Sequence, residues 1–271
     1  MTEHKNQIIH KYESKILSEQ KESIKETIRK MFSLKEDTAS NEEIRNRLLT
    51  GGKITGTNMC VMICAMVIAS VGLNVNSTAV IIGAMLISPL MGSILALAYG
   101  TVSVDVHIVK KHAVGFVFQI IVSVAASSAY FFLSPVKEPT TELIARTAPS
   151  FFDVIIATAG GLAGIIGQTR EDKVNNIIPG VAIATALMPP LCTCGYSIAN
   201  GEWRMLGGAF YLFVVNTYFI YLSSCLVLSA LRIPKVRELT EHEWDRLKKR
   251  MIRNTIIVVL PCILIALSMA G

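Results

Sequence analysis

Apolar residues in this chain are gathered into long runs that are separated by short polar breaks. A run of about 17 to 25 mostly apolar residues is long enough to cross the hydrocarbon core of a membrane as a helix. The runs of that length cover residues 57–74, 78–101, 113–134, 150–168, 176–199, 205–231 and 254–270. The pattern therefore predicts an all-α polytopic membrane protein with about seven transmembrane helices.

The first 53 residues are polar and predict a helical tail. They hold eleven Lys or Arg residues, and their isolated apolar residues recur mostly at intervals of four. Ser40 followed by Glu43 has the spacing of a capping box, which predicts the start of a short helix. Thr240 followed by Glu243 predicts another helix start just before the last run. Basic amphipathic helices beside a membrane favour contact with anionic lipid or with a second copy of the chain.

Composition and charge agree with a membrane location and set an orientation. Hydrophobic residues make up 52% of the 271 residues, charged residues only 17%, and the mean hydropathy is +0.50. If the tail is inside the cell, the connections on that side hold twelve Lys and Arg residues, against three on the other side. The location expected is the cell (inner) membrane, and the positive-inside rule then predicts a cytoplasmic N-terminus and an external C-terminus. No apolar core lies in the first 30 residues, so no cleaved signal peptide is expected.

Two parts of the chain resemble each other at an offset of about 100 residues. VIIGAMLISPLMG at 80–92 aligns with VAIATALMPPLCT at 181–193, and PVKE at 135–138 aligns with KVRE at 235–238. Each unit holds three runs, and an odd number of spans turns the second unit upside down, as in many secondary transporters. We expect two inverted three-helix repeats, with chance similarity of short apolar strings as the alternative. The predicted divisions are a cytoplasmic tail at 1–53, a first membrane repeat at 54–149, a second at 150–238, and a juxtamembrane helix with the last span at 239–271.

Proline interrupts the second run of each unit, and the alignment places Pro89 over Pro190. Because proline lacks an N–H, Pro89 is expected to free the carbonyl of Met85. Broken backbone at membrane depth is tolerated where it lines a cavity; its carbonyls suit cations and the helix N-termini suit anions. An ordinary kink is the alternative. The substrate-binding candidates, which are the breaks, nearby hydroxyls and two deep amides, are Ser88, Pro89, Gly92, Gln119, Thr185, Pro189, Pro190, Thr193 and Asn216.

Other polar and small residues have two interpretations each. Gln119 and Asn216 either line the cavity or bond to a neighbouring helix. Asp153 opens the fourth run and is a candidate for proton or sodium coupling, although a place near the outer surface also suits simple hydration. Gly160 and Gly164 have small-xxx-small spacing, which favours close helix packing over a hinge.

The sequence shows no motif for catalysis or metal binding. Its six cysteines lie within or beside apolar runs, and Cys192 with Cys194 lacks a second Cys pair or a nearby His. Walker loops, catalytic triads and zinc-ligand pairs are not found. We therefore expect no enzyme activity, no cofactor, no metal and no nucleic-acid partner.

The stretch AVIIGAMLISPLMG, with ALMPPL downstream, resembles the bacterial and archaeal membrane family called domain of unknown function 389. The resemblance covers about residues 55 to 235 and is most specific at Gly83–Gly92. It implies a membrane location and supplies no substrate or catalytic residue, and the helical tail departs from the different polar domain of many relatives. Two functions stay open: a transporter or channel for a small solute or ion, or a non-transporting sensor or scaffold that engages partners through the tail and the 232–253 loop. Homo-oligomers are compatible with both.

Overall fold

Helices form almost all of the described structure, a computed structural model that covers residues 37–171, 187–238 and 240–270. No β-strand occurs within these ranges, which confirms the all-α class. In chain order the helices are α1 (Asn41–Gly51), α2 (Gly56–Asn74), α3 (Thr78–Ile87), α4 (Leu90–Val102), α5 (Val106–Leu133), α6 (Thr141–Ala145), α7 (Phe151–Thr169), α8 (Met188–Asn200), α9 (Trp203–Ala230) and α10 (Glu241–Ala270).

Both capping boxes expected from the sequence mark helix starts. The Ser40 hydroxyl accepts the Glu43 N–H at 3.2 Å at the start of α1. The Thr240 hydroxyl accepts the Glu243 N–H at 3.4 Å, and the Glu243 carboxylate accepts the Thr240 N–H at 3.1 Å, at the start of α10. The first box is half formed, because the Glu43 carboxylate bonds Arg47 instead. These bonds satisfy first-turn N–H groups that have no partner inside the helix.

Four described helices, α2, α5, α7 and α9, are long and apolar enough to cross a membrane. The consecutive helices α3 and α4 qualify as a fifth span if they are taken together, and they are bent by 47° at their junction. Five of the seven predicted runs are therefore matched. Most of the run at 176–199 lies outside the described residues, and the last run is joined to the juxtamembrane segment in the single helix α10. Those two spans stay predictions.

Exposure along α5 is reversed relative to a water-soluble helix. Val114 is 72% exposed and Ile121 60%, whereas Gln119 is 1% exposed and Ser123 fully buried. Large apolar side chains also face outward on α7, where Phe152 is 72% exposed. An apolar exterior around a polar interior suits a lipid environment, because lipid takes up the apolar surface and the interior polar groups bond to one another.

The long and half-length helices form two sets with matching lengths. The helices α2, α4 and α5 have 19, 13 and 28 residues, and α7, α8 and α9 have 19, 13 and 28 residues. Within the sets α4 packs on α5 and α8 on α9. Between the sets α4 packs on α9 and α8 packs on α5. Each 13-residue helix thus lies between the 28-residue helix of its own set and that of the other.

Two short helices cover ends of the long ones. The helix α1 precedes the first set but packs on α7, and α6 precedes the second set but packs on α2. The carbonyl of Thr169, the last residue of α7, accepts the N–H of Ala39 at 2.8 Å. The carbonyl of Leu73, near the end of α2, accepts the Thr140 hydroxyl at 2.6 Å. Each short segment therefore donates a hydrogen bond to a carbonyl in the last turn of the helix that it covers.

The packing of α1 accounts for the apolar residues in the described part of the predicted tail. The helix α1 packs along α4 of its own chain. Ile44 is fully buried and Leu48 is 2% exposed. The apolar face of α1 is therefore taken up by protein rather than by a lipid surface. Residues 1–36 of the predicted tail lie outside the described residues.

Candidate functional site

The backbone leaves helical geometry at Ser88 and Pro89. Ser88 is extended, with φ −76° and ψ 129°, and α4 begins at Leu90 immediately after Pro89. The carbonyl of Met85, which was expected to be free, accepts the N–H of Ser88 at 3.4 Å. Proline removes the donor four residues on, and the donor three residues on replaces it with a longer bond. This carbonyl is therefore not open to a solute in the observed conformation.

The second pair of prolines has a different place in its helix. Pro189 and Pro190 lie in the first turn of α8, which begins at Met188 in the described chain. First-turn N–H groups have no partner inside the helix, so proline is tolerated there at little cost. Thr193 is fully buried and its hydroxyl donates to the Pro189 carbonyl at 3.0 Å. Thr185, another predicted site residue, lies outside the described residues.

A row of buried polar side chains runs along one face of α5, and we call it the polar seam. Its members recur at intervals of seven or four residues, which keeps them on one face. None is more than 7% exposed. The row extends over about 33 Å at 1.5 Å per residue, close to the ~30 Å thickness of a bilayer core. Its members are His112, Gln119, Ser123, Ser127 and the C-cap residue Ser134.

At the end nearest the start of α5, the seam bonds to the α1–α2 connection and to α4. The Nδ1 atom of His112 lies 3.1 Å from the carbonyl oxygen of Gly52. The hydroxyl of Ser93 on α4 donates to the Gln119 Oε1 at 2.7 Å. Of the two roles considered for Gln119, the structure thus shows the bond to a neighbouring helix.

In the middle of the seam, Ser127 joins three helices. Its hydroxyl donates to the carbonyl oxygen of Cys192 on α8 at 3.0 Å. The hydroxyl of Ser70 on α2 lies 2.9 Å from Ser127 Oγ. Because Ser127 has one hydroxyl hydrogen, Ser70 is the donor in that second bond. A Cβ on Gly195 would lie 2.5 Å from Ser127 Oγ, so a glycine is needed for α8 to come this close.

At the far end of the seam, Asn74 of α2 meets the end of α5. Its Nδ2 donates to Ser134 Oγ at 2.7 Å and to the Tyr130 hydroxyl at 3.2 Å. Its Oδ1 is buried and has no hydrogen-bond partner in the described part of the chain. Beyond it, the Tyr196 hydroxyl of α8 donates to the Lys137 carbonyl. This end therefore holds a buried polar atom with unused bonding capacity.

Gly92, one turn into α4, is where α1 ends against the membrane helices. The backbone of Gly51 lies against it so closely that a Cβ on Gly92 would overlap the Gly51 carbonyl. Gly92 is half-buried, as are Ser88 and Pro89. The first turn of α4 is thus covered on one side by the end of α1, a contact that the sequence did not indicate.

The remaining candidates lie on α7 and α9. Asp153 is used as a helix cap, since its Oδ2 accepts the N–H and the hydroxyl of Ser150, both at 2.7 Å. Asn216 is buried on α9. Gly160 and Gly164 are buried on α7, which packs along α9, in keeping with their expected packing role.

Formal charge is confined to the ends of the helices around the seam. The helices α2, α3, α4 and α8 contain no Asp, Glu, Lys or Arg, and α5 carries only Lys110 and Lys111, in its first turns. Within the described ranges no group of three or more His, Cys, Asp or Glu side chains could hold a metal ion. The site is therefore built from hydroxyls, amides, backbone groups and the His112 imidazole.

Sequence reasoning singled out the breaks and Gln119 but missed the other seam residues and their bonding partners on α2. Ser123, Ser127, Ser70 and Asn74 stand in apolar runs at intervals of four within α5 and α2. That spacing was the available signal, because it places polar groups on the same face of each helix. It does not reveal which helix each face meets.

Helices of this length and hydropathy, with polar groups turned inward, define the class of multi-pass helical membrane proteins. The chain belongs to the family described as a domain of unknown function, DUF389, which matches residues 85–222. It is 28% identical over 196 residues to the uncharacterized protein MJ0678 of Methanocaldococcus jannaschii. That alignment covers 72% of this chain and 61% of the relative, so the chain spans less than two thirds of the relative's length. No solved structure matches the chain.

Proposed function

We propose that the protein is a transporter or channel for a small solute or ion, built from two inverted three-helix repeats. The first repeat comprises α2 to α5, and the second comprises α7 to α9 with the residues before α8. The observation that carries the proposal is the reciprocal packing of α4 on α9 and of α8 on α5. A twofold relation between the repeats generates such a pair of contacts from a single interface, and inverted repeats commonly enclose the site of a secondary transporter.

Two further features support the twofold relation. The matched lengths of 19, 13 and 28 residues recur in the same order in the two sets. Each short helix also packs on the first long helix of the other repeat, since α1 packs on α7 and α6 packs on α2. Chance similarity of short apolar stretches explains the sequence alignment, but it does not explain these paired contacts between helices.

The directions of the half-length helices support a site near the bilayer midplane. One turn into α4, Ser93 bonds Gln119, and one turn into α8, the Cys192 carbonyl bonds Ser127. Both contacts flank Ser123, close to the middle of α5. From there α4 leads to the start of α5, whereas the Tyr196 hydroxyl of α8 reaches the Lys137 carbonyl beyond its end. Two helix N-termini thus approach the middle of α5 from opposite directions, an arrangement that favours solutes with negative or dipolar groups.

The proposal includes an orientation and a lipid partner. The tail and the 232–253 segment lie on the cytoplasmic side of the inner membrane, where their basic residues contact anionic lipid. Asp153, held by Ser150 near the outer surface, serves as a cap rather than as a coupling group. Pro89 and Gly92 contribute to the site by shaping the backbone at the break between α3 and α4.

A non-transporting sensor is the second candidate, and α1 is the observation that favours it. The Arg47 guanidinium donates to the carbonyls of Arg170 and Glu171 after α7, while Gly51 lies against Gly92 of α4. A partner that moved α1 would therefore act on helices of both repeats. A sensor of this kind moves no solute, which separates it from the transporter.

Reconstitution of the full chain into liposomes tests the transport proposal. Swelling by light scattering reports neutral solutes, and fluorescent indicators report ions. At least one solute should cross faster than in protein-free vesicles, and Pro89→Ala should slow it. The matched control is Pro139→Ala, at an exposed proline outside the helices. If no solute in either panel crosses faster with the protein present, the transport proposal is wrong and the sensor function is favoured.

A further inference from the structure

We infer that the polar seam is the path of the solute and that this solute is a small uncharged molecule with hydroxyl or amide groups, such as a polyol or urea. The inference rests on the proposed transport function and adds the substrate class and the residues along the path. Its basis is the chemistry of the buried groups on α5 and of their partners on α2, α4 and α8.

The extent of the seam separates a path from simple helix adhesion. Polar residues often join membrane helices, and one or two per helix pair suffice for that role. Here the row continues from His112 to Ser134, over about the thickness of a bilayer core. Its partners come from the α1–α2 connection, α4, α2 and α8 in turn. A continuous row with changing partners gives a solute successive bonding sites from one side to the other.

Incomplete hydrogen bonding is an independent observation in favour of a ligand. Asn74 is nine-tenths buried, and its Oδ1 has no partner in the part of the chain that the structure describes. Ser123 is fully buried, and within the described ranges its hydroxyl donates to the sulfur of Met62, at 3.4 Å. Buried polar groups are normally well bonded, and sulfur is a weak acceptor. Solute hydroxyls or amides supply the bonds that these two side chains lack.

The arrangement of donors and acceptors indicates the class of solute. Ser70 donates to Ser127, which donates to the Cys192 carbonyl, so donors and acceptors alternate along the chain of bonds. A hydroxyl or amide of a solute fits into such a chain because it also donates and accepts. A bare cation needs several oxygens directed at one point, and the seam bonds are pairwise. A charged solute also finds no Asp, Glu, Lys or Arg on α2, α4 or α8, and on α5 it finds only Lys110 and Lys111, in the first turns.

The test compares neutral and ionic fluxes in proteoliposomes of the full chain. The probes are glycerol and urea for swelling, and potassium and chloride for ion flux. Glycerol or urea should enter faster than in protein-free vesicles, while the ion fluxes stay at the protein-free level. Ser127→Val should slow the neutral flux by about tenfold, the scale of one lost hydrogen bond. The matched control is Ser224→Val, because Ser224 is equally buried but donates to Ile220 of its own helix at 2.7 Å.

The outcomes separate this inference from the transport proposal. Accelerated ion flux without neutral flux overturns the substrate class and leaves transport in place, whereas no flux of any probe removes both. Neutral flux that is equal in Ser127→Val and wild type overturns the path. If thermal unfolding shows that Ser127→Val is misfolded, Ser123→Ala takes its place, since the partner of the Ser123 hydroxyl among the described residues is the weakly accepting sulfur of Met62. An unchanged glycerol and urea rate in Ser123→Ala overturns the path equally.

Discussion

The hydroxyl of Ser127 on α5 donates a 3.0 Å hydrogen bond to the carbonyl oxygen of Cys192 on α8. The bond joins the last helix of the first set to the half-length helix of the second. Hydrophobic attraction between helices is weak in lipid, so close packing and such bonds decide where a helix lies. Gly195, one turn further along α8, leaves the space that Ser127 occupies. This contact therefore fixes the packing of α8 on α5 and lies on the proposed solute path.

Pro89→Ala is expected to reduce the bend between α3 and α4. Alanine restores an N–H four residues after Met85, so the two helices can merge. Straightening the 47° bend lengthens the distance between spin labels at Ala79 and Val102 by about 3 Å, since each helix rises 1.5 Å per residue. Pulsed electron paramagnetic resonance measures the change. An unaltered distance means that packing, and not proline, holds the bend.

Pro190→Ala provides the contrasting case for helix geometry. In the first turn of α8 an added N–H gains no partner inside the helix, so the start of α8 should not move. Sequence alignment treats Pro89 and Pro190 as equivalent, but the structure makes one a helix break and the other a first-turn residue. A structure of this variant in which α8 begins elsewhere contradicts the assignment.

Gly92→Ala is expected to destabilise the protein by about 1 to 3 kcal/mol, because the new methyl overlaps the Gly51 backbone. Gly83→Ala is the matched control, since a Cβ there meets nothing within 4 Å. That control should be neutral or stabilising by up to about 1 kcal/mol, through helix propensity. Denaturation in detergent measures both. Equal stability of the two variants shows that the Gly51 backbone at the end of α1 does not pack against Gly92 of α4.

The pKa of Glu243 should lie below that of an unfolded Glu. The Thr240 N–H bonds its carboxylate, and Arg237 adds a second bond and an opposite charge. Both favour the charged form, so the cap is present above the unfolded pKa and is lost as pH falls through the lowered, folded pKa. An NMR titration of the labelled carboxyl carbon checks the direction. Arg237→Gln should raise the pKa, and a midpoint at or above the unfolded value contradicts the capping bonds.

Opposite membrane sides are expected for Lys110 and Arg204, although they occupy similar places near the starts of α5 and α9. Both side chains are exposed. In a background without native cysteines, an impermeant thiol reagent should label Arg204→Cys in intact cells and Lys110→Cys only after permeabilisation. Labelling of both positions from the same side contradicts inverted repeats.

The sequence allowed correct prediction of features that depend on nearby residues. Apolar length located the four helices long enough to span a membrane and the bent pair α3 and α4, Ser40 and Thr240 located helix starts, and Pro89 located a break. Contacts between distant residues were not predictable in the same way. Ser127 and Cys192 are 65 positions apart. The periodicity along α5 and α8 does not indicate which face of one helix packs against which face of the other. The same holds for α1, whose composition suits a lipid surface and whose Ile44 is buried in protein.

Covalent block at Ser127 tests the central claim most directly. In proteoliposomes of a Ser127→Cys protein without native cysteines, a small hydrophilic methanethiosulfonate reagent should react and reduce solute entry to the protein-free rate. The same treatment of Ser224→Cys should leave entry unchanged, because that side chain bonds its own helix away from the seam. The account is contradicted if Cys at 127 does not react, or if solute enters at the untreated rate after complete labelling.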